Sequence, residues 1–292
     1  MRKLRTAISL VFVIAFAVCG VYVIKYKVMT DQTPPVISCE KGKEEITVSV
    51  NDEEAVLLDG LTASDNRDGD LTDDIRIASM SNFITDHKRT VRYVVFDSAN
   101  LAGTFERTIQ YSDYTAPRIH LSAPLRFKAG EEEEALYGAL TAEDPIDGDI
   151  TQNIRVISTD YYYDTSVEEY AYTLQVSSSA GTVCSVPVTV TVMDSSSLTE
   201  REKYYPLLSE YIFYTSKDTA ISPENYIIGL EHNESELLYE EDEELRAATF
   251  EDITVSTDAD YAEPGVYTVE YSYMSKDGTM AVTKAYIVVE DV

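Results

Sequence analysis

Tandem β-sandwiches behind one membrane-spanning helix are the architecture this 292-residue sequence encodes. Three observations carry that expectation: an uncharged apolar run near the N-terminus, period-2 strands through the remainder, and an internal repeat of domain length. The stretch Leu61-Thr-Ala-Ser-Asp-Asn-Arg-Asp-Gly-Asp-Leu-Thr-Asp-Asp-Ile-Arg-Ile77 returns as Leu140-Thr-Ala-Glu-Asp-Pro-Ile-Asp-Gly-Asp-Ile-Thr-Gln-Asn-Ile-Arg-Val156. Asp147 follows Asp68 by 79 residues, so whole domains are repeated. Arrays of small domains bind, space or scaffold more often than they catalyse.

The apolar run spans Ala7 to Ile24. Eighteen residues at helical rise cover about 27 Å, enough for the hydrocarbon core with little tilt. A cleaved signal peptide has a shorter apolar region and an Ala-x-Ala-like site. Here the end of the run, Val18-Cys19-Gly20, matches such a site weakly. The expectation is an uncleaved, single-pass signal anchor, with a cleaved leader as the alternative. Arg2, Lys3 and Arg5 favour a cytoplasmic N-terminus, although Lys25 and Lys27 oppose it. The bulk of the chain is then extracellular at the cell membrane, and the helix makes the membrane a partner.

The charge agrees with an exported chain. Asp and Glu total 52 against 23 Lys and Arg, a net −29. That balance argues against nucleic acid and against charge-driven adhesion to anionic lipid. Cys39 and Cys184 fall in different repeats and Cys19 lies in the apolar run, so no disulfide framework is implied. An exported chain without disulfides is more typical of bacteria than of small secreted animal domains.

Strand signals recur in each repeat. Ile46–Val50, Thr90–Phe96, Phe105–Tyr111, Ala171–Val176, Val186–Val192, Val266–Tyr273 and Ala281–Val289 all alternate Val, Ile, Tyr or Thr with polar residues. Short turns bearing Gly or Asn join the last pair of each repeat, a hairpin signature. The expected boundaries are a cytoplasmic tip and anchor helix over 1–30, repeats over 31–113 and 114–194, a linker over 195–203, and a degenerate repeat over 204–292. Each repeat holds a common number of residues for a two-sheet sandwich and is expected to fold alone. The polar stretch 194–203 reads as a hinge or as one helical turn.

These motifs carry a resemblance. The Pro-x-Ile strand start, the Leu-Thr-Ala-x-Asp-x-x-Asp-Gly-Asp core and the hairpin turn Asp97-Ser-Ala-Asn100 resemble bacterial immunoglobulin-like repeats. Such repeats occur in surface proteins and in some pesticidal crystal toxins, and they resemble hyalin repeats. The match covers the first two repeats, and only the C-terminal half of the third. It implies an immunoglobulin-like sandwich and no single activity.

The Asp-Gly-Asp loops are the candidate sites. Asp65, Asp68, Asp70 and Asp73 crowd one loop, and Asp144, Asp147 and Asp149 the other. Calcium takes several carboxylate and carbonyl oxygens, so such loops can bind it. An EF-hand needs an acid where Arg67 and Ile146 stand. The competing reading is structural: Gly69 and Gly148 supply positive-φ turns and the aspartates bond the turn backbone. The acidic runs Glu131–Glu134 and Glu240–Glu244 read as solvated loop faces. His87, His120 and His232 form no zinc-type pair. Tyr161–Tyr163 and Tyr204–Tyr205 are candidate stacking platforms.

No nucleophile elbow, zinc-protease helix, phosphate loop or dinucleotide motif is present. The expectation is a non-catalytic surface array for adhesion, recognition or spacing, with no cofactor beyond a calcium ion and with an extracellular protein or glycan as partner. The alternative is an accessory or carbohydrate-binding subunit of an envelope complex or secreted enzyme system. An enzyme is the third reading, since 52 acids make carboxylate pairs inevitable.

Overall fold

A computed structural model of the chain describes residues 2–29, 31–85, 87–128, 132–158, 169–193 and 198–291. Tyr161–Tyr163, Glu131 and Asp194 lie outside them.

The first element is a 28-residue helix, Arg2–Met29. Its window Ile8–Lys25 has a mean hydropathy of 2.4 and is wholly exposed. It is long and apolar enough to cross a membrane, a property shared by single-pass anchors and signal sequences.

Strands are the main regular element of the remainder, arranged as three immunoglobulin-like sandwiches with the same plan. In the first, Val36–Cys39, Leu61–Asp65 and Gly69–Asp70 form a three-stranded antiparallel sheet. The second sheet runs Glu45–Val48, Ala102–Tyr111, Lys88–Phe96 and Arg76–Met80, in that order. Its first strand pairs parallel with Ala102–Tyr111, and the other pairings are antiparallel. Buried side chains come from both sheets: Ile37, Leu61 and Ala63 from the small one, Val91, Tyr93, Val95 and Ile109 from the large one. This is the alternation read from the sequence, with apolar residues turned to the shared face.

The second sandwich repeats that order. Its small sheet is Arg118–Leu121, Leu140–Asp144 and Gly148–Asp149. Its large sheet is Arg155–Ser158, Glu169–Ser177, Val183–Met193 and the parallel Arg126–Lys128. The third, degenerate in sequence, has the same topology: Tyr204–Leu208, Ile227–His232 and Ser235–Leu238 opposite Ile212–Ser216, Met280–Glu290, Gly265–Met274 and Ile253–Thr257. Where the first two use the Asp-Gly-Asp loop, the third closes a two-residue hairpin. Asn233 and Glu234 there have φ of 49° and 64°, as a type I′ turn requires.

Two expectations are corrected. The acidic runs are not plain loop faces, because helices Glu132–Gly138 and Glu243–Thr249 begin within them. Acids in a first turn complement the helix dipole, and Asp242 caps the latter helix by accepting from the Leu245 N–H at 2.9 Å. Nor does a hinge precede the third sandwich. The chain forms two compact units, Met1–Tyr114 and Thr115–Val292, and one continuous core runs through the latter. A short helix, Leu198–Arg201, occupies the connection. Tyr214 donates to the Ile119 carbonyl at 3.0 Å and accepts from its N–H at 2.8 Å, while Tyr286 accepts from the Thr189 N–H at 2.6 Å. Both tyrosines bind the third sandwich to strand backbone of the second. The apolar residues that expectation assigned to two separate cores are buried against each other, so opening a hinge would expose them.

Candidate metal centre

The Asp-Gly-Asp loops are turns first. Asp65 ends its strand and pairs with Gly69, leaving a three-residue loop between them. Gly69 and Gly148 have φ of 79° and 69°, a conformation that disfavours side chains with a Cβ. Asp65 Oδ1 accepts from the N–H groups of Arg67 at 2.7 Å and Asp68 at 3.0 Å. Asp144 Oδ1 does the same for Ile146 and Asp147, at 2.9 and 3.0 Å.

The remaining aspartates are used for structure. Asp68 accepts from both the N–H and the hydroxyl of Ser98, at 2.7 and 2.9 Å, pinning the loop to the Lys88–Tyr111 hairpin. Asp147 binds Ser179 in the same way, at 2.6 and 2.5 Å. Asp70 and Asp149 each accept from the N–H of the threonine two residues on, Thr72 and Thr151. The threonine hydroxyls hold the Asp70 and Asp149 carboxyls below the ordinary carboxylate range. The Asp73 side chain joins no cluster of acids; its carbonyl accepts from Arg76 at 2.7 Å.

Asp65 has a second environment. One oxygen of its carboxylate lies within 4.8 Å of an oxygen from Asp31 and one from Asp97. Among the described residues this is the one place where three acids converge in that way. Asp31 lies just before the first strand, and Asp97 directly follows Lys88–Phe96. In each carboxylate Oδ1 is anchored: by the Thr33 N–H at 3.0 Å for Asp31, by the Arg67 and Asp68 N–H groups for Asp65, and by the Leu101 N–H at 2.7 Å for Asp97. In each, Oδ2 is buried without a hydrogen-bond partner. The Asp97 residue is 7% exposed and the Asp31 side chain 8%. Arg67 Nε, 3.5 Å from Asp31 Oδ2, is a nearby cation on a half-exposed side chain. The Asp68 and Arg67 N–H groups hold the Asp65 carboxyl below its usual range, so it is ionised at neutral pH.

The sequence pointed to Asp65 and missed Asp31 and Asp97. A signal for Asp97 existed: the matched hairpin position in the second repeat is Ser178, whose hydroxyl accepts from Thr182 as Asp97 does from Leu101. The turn therefore does not demand an acid at position 97. Asp113 matches Asp31 in the sequence, but both its oxygens are taken by Ser49 and Val50.

The tyrosine platforms fare differently. Tyr205 is buried under the Arg126 guanidinium, 3.5 Å from its ring centre, and Tyr204 stacks on His232 at 3.9 Å. In each, one ring face is already covered. Cys19, Cys39 and Cys184 are all unbridged.

No family model matches the chain. A 143-residue stretch, 47% of the chain, is 32% identical to pesticidal crystal protein Cry22Aa of Bacillus thuringiensis. The match spans about a fifth of that protein, 19% of its length. Among solved structures, the chain is similar to CBM51-2 and INT domains of Clostridium perfringens ZmpB, solved in complex with GlcNAc. That likeness has 21% identity over 49% of this chain and 28% of that one, with a TM-score of 0.21. The lipoprotein BT2262 from Bacteroides thetaiotaomicron is 14% identical over 86% and 98% of the two chains, TM-score 0.21. Drosophila N-cadherin EC1-4 is 11% identical over 90% and 76%, TM-score 0.22.

Proposed function

We propose that this chain is a non-catalytic, membrane-anchored array that faces outward and serves adhesion, recognition or spacing. The observation that carries the reading is where the polar side chains go. The conspicuous acids bind loop backbone, and cations of the second and third sandwiches brace one domain against the other. Arg126 pairs with Glu231 at 2.5 Å, Arg118 with Glu290 at 2.6 Å and Lys284 with Glu169 at 2.9 Å. A pair of domains locked in this way is a rigid platform. The exposed apolar helix supplies the attachment, and the net negative charge keeps the rest soluble.

A carbohydrate-binding accessory role is the second reading. A groove of about 440 Å³ in the unit of residues 115–292 is lined by Arg126, Lys128, Lys203, Glu231 and Asn233, a polar set suited to hydroxyl and carboxylate groups. The test is the full chain in lipid nanodiscs, applied to a glycan array and to intact cells. The array reading expects binding to cells that no soluble saccharide competes away. Saturable binding to one saccharide, lost in Lys203→Gln, would replace it with the accessory reading.

A further inference from the structure

We propose that Asp31, Asp65 and Asp97 form a calcium site that ties the stretch following the membrane helix to the first sandwich. This goes beyond the surface-array reading and does not depend on it.

The three carboxylates come from separate parts of the chain: the stem after Met29, the end of strand Leu61–Asp65, and the start of the Phe96–Ala102 turn. Each is pre-oriented by a backbone N–H on one oxygen, while the other oxygen is buried without a hydrogen-bond partner. Like charges so close disfavour one another, and buried polar atoms without partners destabilise a fold. Loop geometry does not explain the arrangement, because Ser178 closes the matching turn without an acid. A cation supplies what the three oxygens lack. Anchoring one carboxylate oxygen while the other faces the ion is how outer-shell contacts orient metal ligands.

The donor set selects the ion. All three donors are hard carboxylate oxygens, with neither imidazole nor thiolate among them, which disfavours zinc and copper. Oxygens within 4.8 Å of one another fit on a sphere of the calcium–oxygen radius, about 2.3–2.6 Å. Magnesium demands tighter octahedral geometry and keeps most of its water. Loop carbonyls and water would complete the six to eight ligands calcium takes. Arg67, whose Nε lies 3.5 Å from Asp31 Oδ2, is the internal competitor for the site.

Bound calcium would join stem, loop and hairpin at one point, so the segment that follows the helix would stiffen when calcium binds. Gly103 brings the same stem close by another route. A Cβ there would sit 2.0 Å from the Pro35 carbonyl oxygen, so the hairpin backbone already lies against Pro35.

The test uses the full chain in nanodiscs, stripped with chelator and titrated with calcium chloride. One ion per chain should bind with a Kd of about 0.1–1 mM, the range of extracellular modules. At roughly tenfold excess over Kd the melting temperature should rise by on the order of 5 °C. Hydrogen exchange over residues 31–35 should slow. Asp97→Asn and Asp31→Asn keep the anchoring Oδ1 contact but should lose the calcium shift, with affinity down at least about tenfold. In chelator both should melt at or above the parent, because the repulsion is relieved. Asp70→Asn should keep the full calcium shift, magnesium at equal concentration should give little, and Arg67→Gln should bind calcium more tightly. Absence of calcium binding overturns the site, as does an undiminished shift in Asp97→Asn. Loss of the shift in Asp70→Asn but not in Asp31→Asn would move the ion to the Asp-Gly-Asp loop and equally overturn it.

Discussion

Arg107, only 2% exposed, is the most consequential single residue in the first sandwich. It shares a strand face with Ile109 and Tyr111, where the alternation calls for an apolar side chain. Its guanidinium donates to the Asp59 carbonyl at 2.8 Å, to the Leu57 carbonyl and to Tyr93 Oη at 3.1 Å. Those carbonyls end the short helix Glu54–Leu58, whose last C=O groups have no helical partner. A planar fork with several donors satisfies them together, and lysine cannot reproduce it. Arg107→Lys should therefore lower stability by about 2 kcal/mol in urea unfolding, with an unchanged m-value. Gly103 carries a different constraint, since its neighbour is backbone rather than a flexible side chain. Gly103→Ala should cost about 1–3 kcal/mol and blunt the calcium response by displacing the stem. Neither role was legible in the sequence. Arg107 looks like any polar residue in a strand, and the contact of Gly103 with Pro35 joins positions 68 apart.

At the scale of elements, the strands and their hairpins were readable and the joins between sandwiches were not. Val266–Tyr273 and Ala281–Val289 were marked by alternation alone and became Gly265–Met274 and Met280–Glu290. Alternation reports which face of a strand is buried but not what buries it. The partners of Arg126, Tyr214 and Tyr286 lie roughly a hundred residues away, and no local pattern encodes them. Arg126 is 7% exposed in its side chain and pairs with Glu231. Arg126→Met should reveal how costly the orphaned Glu231 is, with a loss of about 3 kcal/mol. His120 adds a pH dependence. Its Nδ1 lies 2.8 Å from Glu210, and its Nε2 lies 3.5 Å from Glu143. The hydrogen bond to Glu210 raises its pKa above the usual 6.5 against opposing burial. Stability from this contact is fully present below about pH 6.5 and is lost as pH rises through the higher folded value. Thermal stability measured from pH 6 to 8.5 should decline through this contact, and His120→Gln should flatten that part of the slope. A slope unchanged by the substitution would assign it to other groups.

For the whole molecule, the repeat period read from the Asp-Gly-Asp motif marks the first two sandwiches, and the third, which lacks the motif, was marked by its closing hairpin. The period could not show that residues 115–292 would share a core, because burial between domains depends on side chains that look like ordinary strand residues. Removing the third sandwich would take the Tyr214 hydroxyl from the Ile119 backbone and the Tyr286 hydroxyl from the Thr189 N–H, and would open the core that the two sandwiches share. A fragment of residues 115–193 should accordingly unfold at lower denaturant than one of residues 115–291, contrary to the expectation that each repeat folds alone. The claim on which the functional reading stands is orientation: one helix in the membrane and the sandwiches outside. Cysteine accessibility in intact cells tests it most directly. In a background with Cys19, Cys39 and Cys184 replaced by serine, Ser275→Cys should react with a membrane-impermeant maleimide without permeabilisation. Arg5→Cys should react only after the membrane is opened. Labelling of Arg5→Cys in intact cells together with protection of Ser275→Cys would place the sandwiches inside and contradict the surface-array account.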